Sequence, residues 1–553
     1  MARGQQSRRL GRAAFATLVV IALTLPFASP AGADQASSAR YRLAASVLDS
    51  GEFHSCAVLN NGVRCWGYGV DGRLGNVSPN DIGDNETPDF PGPVNLGSGR
   101  TAKAIAAGYG HTCALLDNAT VRCWGLGTYG QLGYGNTDTI GDDETPGSTG
   151  PVNLGSGRTA VAISAGGNDS CALLDNGKVR CWGYNSNGEL GYGNTNTIGD
   201  DETPGTVPAV NLGPGRTATA ISTGGDHTCA LLDNARVRCW GFSASGELGY
   251  GNTHTIGDDE TPGSTGSVNL GAHRTAVAIS AGGSHTCALL DNGKVRCWGS
   301  AFTGQLGYGN THNIGDNESP AAAGPINLGP GRTATTISAG NGHTCAVLDN
   351  GRVRCWGYNA YGGLGYGNTD PIGDDETPAA AGPVNLGPGR TARAVSAANA
   401  FTCAVLDNGR VRCWGTGQYG RLGYGNTDDI GDDETPASVG PVSLGGPLPV
   451  LSDSVLTLSV DPHRDHTGPY RFVARGRLAG AFFTDPAICA GVVRVSLTRG
   501  TETVASESVT LTPACSYRKA LTSDRRGALT VKARFAGNGS LRSNSAHERV
   551  RAG

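Results

Sequence analysis

Cysteine and aspartate recur along this chain at spacings that could do chemistry. Cys113, Cys171, Cys229, Cys287, Cys345 and Cys403 stand 58 residues apart, and Cys56 lies 57 before the first of them. Each is followed by a partner, in the series Cys65, Cys123, Cys181, Cys239, Cys297, Cys355 and Cys413. Such pairs suit either disulfides or zinc thiolates. His285, two residues before Cys287, would supply a zinc ligand on the same strand face. However, Asp169 and Phe401 hold that place in the third and seventh copies, which keep both cysteines, and no fourth ligand recurs. The pattern predicts seven structural disulfides, Cys56–Cys65, Cys113–Cys123, Cys171–Cys181, Cys229–Cys239, Cys287–Cys297, Cys345–Cys355 and Cys403–Cys413, each contributing about 2 kcal/mol.

The acidic residues cluster in a repeated Gly-Asp-x-Glu-(Thr/Ser)-Pro run. Asp142-Asp143-Glu144, Asp200-Asp201-Glu202 and Asp432-Asp433-Glu434 are examples. Grouped carboxylates among glycine carbonyls suit calcium, which would make Asp142, Asp143, Glu144, Asp200, Asp201 and Glu202 ligands. Against this, the alternating acidic ligands of a calcium loop are missing, and the run can fold its own connection by accepting backbone N–H groups. Folding is the preferred reading, with calcium as the alternative and no other cofactor expected. The histidines His54, His111, His227, His285 and His343 recur beside Thr or Ser, as hydrogen-bonded structural residues would. Seven equal copies offer no single constellation of distinct groups, and no nucleophile or phosphate-loop motif is present. The expectation is a protein that is not an enzyme.

These residues need a scaffold that presents them seven times. Around Cys171 the unit reads as four short strands: Val152 to Leu154, Val161 to Ala165, Ser170 to Leu174 and Lys178 to Trp182. The last two are joined by Asp175-Asn176-Gly177, a three-residue hairpin loop with glycine in the left-handed position. Seven four-stranded units predict an all-β, seven-bladed β-propeller over 34–446. The first copy lacks a Val-Asn-Leu segment, and Val442-Ser443-Leu444 follows the last hairpin. The ring is therefore expected to close by that last strand completing the first blade.

The run His285-Thr286-x-Ala288-Leu289, then Gly293-x-Val295-x-x-Trp298-Gly299 and Gly304-Gln305-Leu306-Gly307, resembles the repeat of the regulator of chromosome condensation family, most closely its bacterial secreted members. The resemblance covers residues 41 to 446 and implies a seven-bladed propeller. The family includes a secreted bacterial propeller that inhibits an enzyme by docking one face. The namesake activity, nucleotide exchange on a small nuclear GTPase, fits poorly, because the chain opens with an export signal and no repeat carries an inserted wedge.

Strand order places the acidic connections on one face of the disc. Arg158, Arg216, Arg332 and Arg390, with Lys178, Lys294 and Arg352, fall on the other, which predicts a mildly basic face there. The segments after each Trp-Gly vary while the rest is copied, and they begin on the acidic face. Tyr129, Phe302, Tyr361 and Tyr419 take matching or near-matching places in them and are the candidate partner-binding residues. The leading functional expectation is a secreted protein-binding scaffold. A structural or adhesion protein is the alternative, and glycan binding is a further one.

The rest of the chain sets the context. Arg3, Arg8, Arg9 and Arg12, the apolar stretch from Ala13 to Leu25, and Ala31-Gly32-Ala33 predict a signal peptide over 1–33. General secretion is preferred to a twin-arginine route, since Gly11 stands where that signal wants an apolar residue. The predicted location is secreted and extracellular, without membrane insertion. A net charge of −4 over 553 residues argues against nucleic acid as a partner. After a linker at 447–452, alternating apolar residues over 453–553 predict about seven strands, a small β-sandwich of immunoglobulin-like character bridged by Cys489–Cys515.

Overall fold

The structure, a computed structural model, describes residues 47–448 except 61, and 455–552 except 457, 463, 466–467, 480–491, 501, 513–515 and 536–543. The predicted signal peptide, most of the linker and the Cys489–Cys515 bridge lie outside the described residues.

Seven antiparallel sheets, each of three consecutive strands, follow one another along residues 48–415. In the unit around Cys171 the strands are Ala160–Ala165, Asp169–Leu174 and Val179–Gly183. The Asp-Asn-Gly turn forms as its residues predict. Gly177 N donates to Leu174 O at 2.9 Å, Leu174 N donates to Lys178 O at 2.8 Å, and Gly177 sits at φ +73°. That loop sets Cys171 opposite Cys181, and all seven expected ring pairs are disulfide-bonded. Ala119 and Ala235 stand in the glycine's place in two repeats, at φ +64° and +59°. A side chain in that region costs roughly 1 kcal/mol. Ala119→Gly and Ala235→Gly should therefore each raise stability by about 1 kcal/mol in urea titration. A drop would mean that the unfolded-state freedom of glycine outweighs the relief of strain.

The expected fourth strand is replaced by three separate contacts along the outer edge of the third. In the second repeat Gly125 and Ile140 exchange both backbone hydrogen bonds, at 2.7 and 3.1 Å. The Tyr134 hydroxyl accepts from Cys123 N and donates to Cys123 O, each at 3.1 Å. Val152 N donates to Val121 O at 2.9 Å. The edge is thereby satisfied without a continuous ladder.

That last bond also corrects the strand assignment. Val152 belongs with the hairpin before it, not with the unit around Cys171. By the same rule Val442 N donates to Val411 O at 2.9 Å, inside the seventh repeat. The last segment therefore does not complete the first repeat. The first repeat lacks a preceding Val-Asn-Leu because it owns the one that follows, Val94-Asn95-Leu96, with Val94 bridged to Val63.

Closure comes instead from contacts that join every repeat to the next. Thr223 N donates to Ser164 Oγ at 3.0 Å, Ala281 N to Ser222 Oγ at 2.9 Å, and Ser50 N to Ser396 Oγ at 3.0 Å. Gly135 N donates to Gly199 O, and Gly425 N to Gly83 O, both at 3.0 Å. The bonds linking neighbours thus also link the seventh repeat to the first. Between the sheets all seven tryptophans are fully buried, within one continuous apolar core.

Residues 455–552 form a separate all-β region. Tyr470–Ala479 pairs with Val455–Leu456, Ser459–Asp461 and Ser516–Ser523, and a five-stranded sheet runs from Arg464–Asp465 through Asn544–Ala552, Gly527–Phe535 and Val492–Arg499 to Glu502–Thr510. Phe472 and Tyr517 from the first sheet join Val493, Val531 and Phe535 from the second in one apolar cluster.

Candidate functional site

The recurring histidines connect one repeat to the next. His54 Nε2 lies 2.7 Å from Thr112 Oγ1, and His111, His227, His285 and His343 make the same contact with Ser170, Thr286, Thr344 and Thr402 at 2.7–2.8 Å. Thr112 spends its own proton on Arg73 O at 2.9 Å, so the histidine Nε2–H must be the donor. The same carbonyl accepts Trp124 Nε1 at 3.0 Å. Five of the seven joints are relays from histidine through hydroxyl to carbonyl, with Asp169 in histidine's place beside Thr228 after the third repeat.

The relay requires neutral histidine. Burial lowers His111 and His227 to about 4 and His285 to about 3, from an ordinary 6.5. An unfolded chain therefore takes up these protons first as pH falls. The contribution of His285 is complete above about pH 6.5 and is lost as pH falls from there towards 3. The stability advantage of the wild type over His285→Gln should shrink by about 1.4 kcal/mol per pH unit below 6.5, measured by urea unfolding at pH 7.5, 6 and 5. An advantage independent of pH would contradict the neutral relay.

The acidic connections and the variable segments do share one face. Asp142, Asp143 and Glu144 bring a carboxylate oxygen each to within 4.8 Å of one another, as do Asp200, Asp201 and Glu202 and three further copies. Burial, and then the neighbouring Asp143, raises Glu144 above the ordinary range. The same connections lock the joints. Gly188 sits at φ +73° under the next connection, where a Cβ would lie 2.3 Å from Asp258 N.

Aromatic side chains line this face. Tyr129, Phe242, Phe302, Tyr358 and Tyr361 are exposed there, and Val77, Phe90 and Val161 are the other exposed large apolar residues among the described residues. Phe302 stands furthest out, at 83% exposure. Tyr129 meets Tyr184 edge-on at 5.2 Å, Tyr361 meets Tyr358 at 6.3 Å, and Tyr419 packs on Tyr68 at 4.4 Å. The sequence candidates Tyr129, Phe302, Tyr361 and Tyr419 thus belong to a belt that also includes Tyr68, Tyr184, Phe242 and Tyr358. The extra members were legible as aromatics in the same variable segments but do not share one register.

Inside the belt lies the mouth of a central cavity of about 600 Å³, lined by the first strands and by Glu52, Tyr109, Asn341 and Asn399. The opposite face is less basic than its arginines predict. Arg158 pairs with Asp175 at 3.3 Å, and Arg216, Arg332 and Arg390 pair likewise with Asp233, Asp349 and Asp407 at 3.2–3.3 Å. The hairpin aspartates, which also accept a backbone N–H such as Thr159 N, cancel the charge locally.

The joint that closes the ring has no polar side chain at the histidine position. Between the seventh and first repeats Phe401 replaces histidine, and the relay is absent. The Arg421 guanidinium lies instead over Phe53, Phe401 and Tyr419 at 5.3–5.7 Å, and that of Arg73 over Tyr68 at 5.0 Å. Tyr419 and Asp71 take left-handed backbone, at φ +62° and +60°. A pocket of about 480 Å³ opens on the acidic face beside this joint, lined by Asp81, Asp84, Asp429, Tyr361 and Tyr419 among others.

Repeats of this pattern, folded into sheets joined in a ring, identify the chain as a member of the RCC1-like domain family. The family model for the RCC1-like domain matches residues 139–461, and regulator of chromosome condensation (RCC1) repeat models match 102–131 and 61–115. Over 387 residues the chain is 30% identical to the ultraviolet-B receptor UVR8 of Arabidopsis thaliana, covering 69% of this chain and 79% of that one. It is 27% identical over 276 residues to the human E3 ubiquitin-protein ligase HERC2, covering 49% of this chain but only 5% of that protein. Among solved structures, yeast RCC1 (Prp20) bound to Kap60 superposes with a TM-score of 0.55 at 20% identity, over 78% of this chain and 91% of that one. Human WBSCR16 gives 0.54 at 20% identity, over 70% and 94%. At that identity the likeness is one of fold, a β-propeller of RCC1 repeats. Seven buried disulfides suit an oxidising compartment.

Proposed function

We propose that this chain is a secreted, seven-bladed propeller that binds an extracellular protein through its acidic, aromatic-lined face. The observation that carries the reading is the concentration of exposed aromatic rings there, on segments that vary while the scaffold is copied. Rigid rings on a disulfide-stapled frame lose little conformational entropy on docking, which suits them to anchor a partner. The yeast relative's structure with Kap60 adds a fold-level precedent for protein binding. Inhibition of a partner enzyme and plain recognition are the subclasses of this reading, and catalysis by the chain itself is not part of it. The region after 453 serves, in this reading, as an immunoglobulin-like sandwich that acts as a spacer or adhesive unit.

The test uses the oxidised mature protein as bait for extracellular proteins and glycans of its host, with calcium and with chelator. The reading expects one protein to be captured by the wild type and lost with Tyr129→Ala/Phe302→Ala/Tyr361→Ala/Tyr419→Ala. Calcium-dependent capture would add Asp142 to Glu144 and Asp200 to Glu202 to the site. Capture of glycans alone would favour the carbohydrate reading, and no capture the structural or adhesive one.

A further inference from the structure

The copied repeats make departures from the pattern informative, and the departures gather at the joint between repeats seven and one. The residue before the paired isoleucine is Thr139, Thr197, Thr255, Asn313 or Pro371 in the middle repeats but Asp81 and Asp429 in the first and seventh. The joint brings these two aspartates into one pocket, together with Asp84 and the rings of Tyr361 and Tyr419.

We propose that this pocket is the anchor point of the binding face and takes an arginine side chain from a basic segment of the partner protein. The inference rests on the protein-binding reading of that face. Asp81 Oδ1 accepts Gly69 N at 2.9 Å and Asp429 Oδ1 accepts Gly417 N at 2.8 Å, which fixes both carboxylates. Neither Oδ2 takes part in a hydrogen bond within the described structure. Arg73 and Arg421 both act on Asp81, but Arg73 is paired with Asp71 at 2.8 Å and Arg421, only 3% exposed, is held among aromatic rings below, so the three pocket carboxylates remain in excess. Burial raises Asp81 above the ordinary range, with Asp84 adding to the shift, so a cation here relieves an existing cost. Tyr361, 46% exposed, offers a ring face for cation–π contact.

The geometry favours a guanidinium over a metal ion. The pocket's carboxylates do not converge within 4.8 Å as those of the Asp-Asp-Glu loops do. A divalent cation needs convergent oxygens, whereas a planar guanidinium reaches separated carboxylates and stacks on tyrosine. The other six joints lack this pairing of aspartates, so one strong anchor would orient a partner on an otherwise near-symmetric ring.

The test is titration of the full oxidised protein with acetyl-arginine amide, in chelator, followed by saturation-transfer NMR. Acetyl-citrulline amide serves as the uncharged analogue. The proposal expects citrulline amide to bind at least tenfold more weakly. Asp81→Asn/Asp429→Asn, which keeps the oxygens that accept Gly69 and Gly417, should weaken arginine amide by at least tenfold. Asp142→Asn/Asp200→Asn should leave it within twofold. Absence of binding, equal binding of the two amides, or equal losses in both double variants would overturn the anchor. Failure of the anchor with partner capture still lost in the aromatic variant would leave the face reading standing. Arginine amide binding with capture indifferent to the aromatic residues would do the reverse.

Discussion

Refolding with the thiols blocked should fail, while the oxidised chain should recover its buried-tryptophan signature. Each ring disulfide closes a loop of 9 or 10 residues in sequence separation, a constraint contributing about 2 kcal/mol. Seven such loops total on the order of 10 kcal/mol, comparable to the whole stability of an ordinary domain, about 5–15 kcal/mol. The sulfurs are almost wholly shielded, with Cys56 fully buried and Cys65 4% exposed. Reductant should therefore act slowly on the folded ring and quickly once denaturant opens it. Tryptophan fluorescence and near-ultraviolet dichroism after removal of denaturant check both statements. A reduced chain that regains the native spectrum would show that packing alone carries the fold.

The second large effect is expected at the interlocked glycines. Gly188→Ala places a methyl group 2.3 Å from Asp258 N and Gly257 C, at a φ of +73°. Backbone on both sides must move, so the cost should be about 3 kcal/mol, from left-handed strain of roughly 1 kcal/mol and overpacking of about 2. Gly215→Ala isolates the first part, because Gly215 sits at φ +68° with nothing within 4 Å. Urea unfolding should show a loss near 1 kcal/mol for Gly215→Ala and about three times that for Gly188→Ala. Equal losses would remove the interlock from the account of how repeats join.

Much of this was legible in the sequence because the chain repeats itself. The 58-residue period, the Asp-Asn-Gly turn and the tryptophan after each second cysteine set strand order, register and disulfide pairing, since a three-residue loop leaves one partner for each cysteine. The fourth strand departs from the sequence expectation for a physical reason. Val-Asn-Leu looks like a strand from its apolar alternation, but which hairpin it pairs with depends on the long connection before it, which carries no periodic signal. The joints were also partly hidden. A histidine's burial and its Thr partner 58 or 59 residues away depend on how the sheets stack, so His285 could be read as structural but not as a link to Thr344. At the candidate site, Tyr129 and Phe302 were visible as variable aromatics, whereas the special joint at Phe401 and Arg421 requires the ring to be closed before its members meet.

The most direct measurement is the affinity of the captured partner for two variants altered on opposite faces. One carries Tyr129→Ala, Phe302→Ala, Tyr361→Ala and Tyr419→Ala; the other carries Arg158→Ala, Arg216→Ala and Arg332→Ala. Four lost aromatic anchors at about 1 kcal/mol or more each predict at least a hundredfold weaker binding for the first, with the second within a few-fold of wild type. The reverse order, or equal weakening by both, would contradict docking on the acidic, aromatic face.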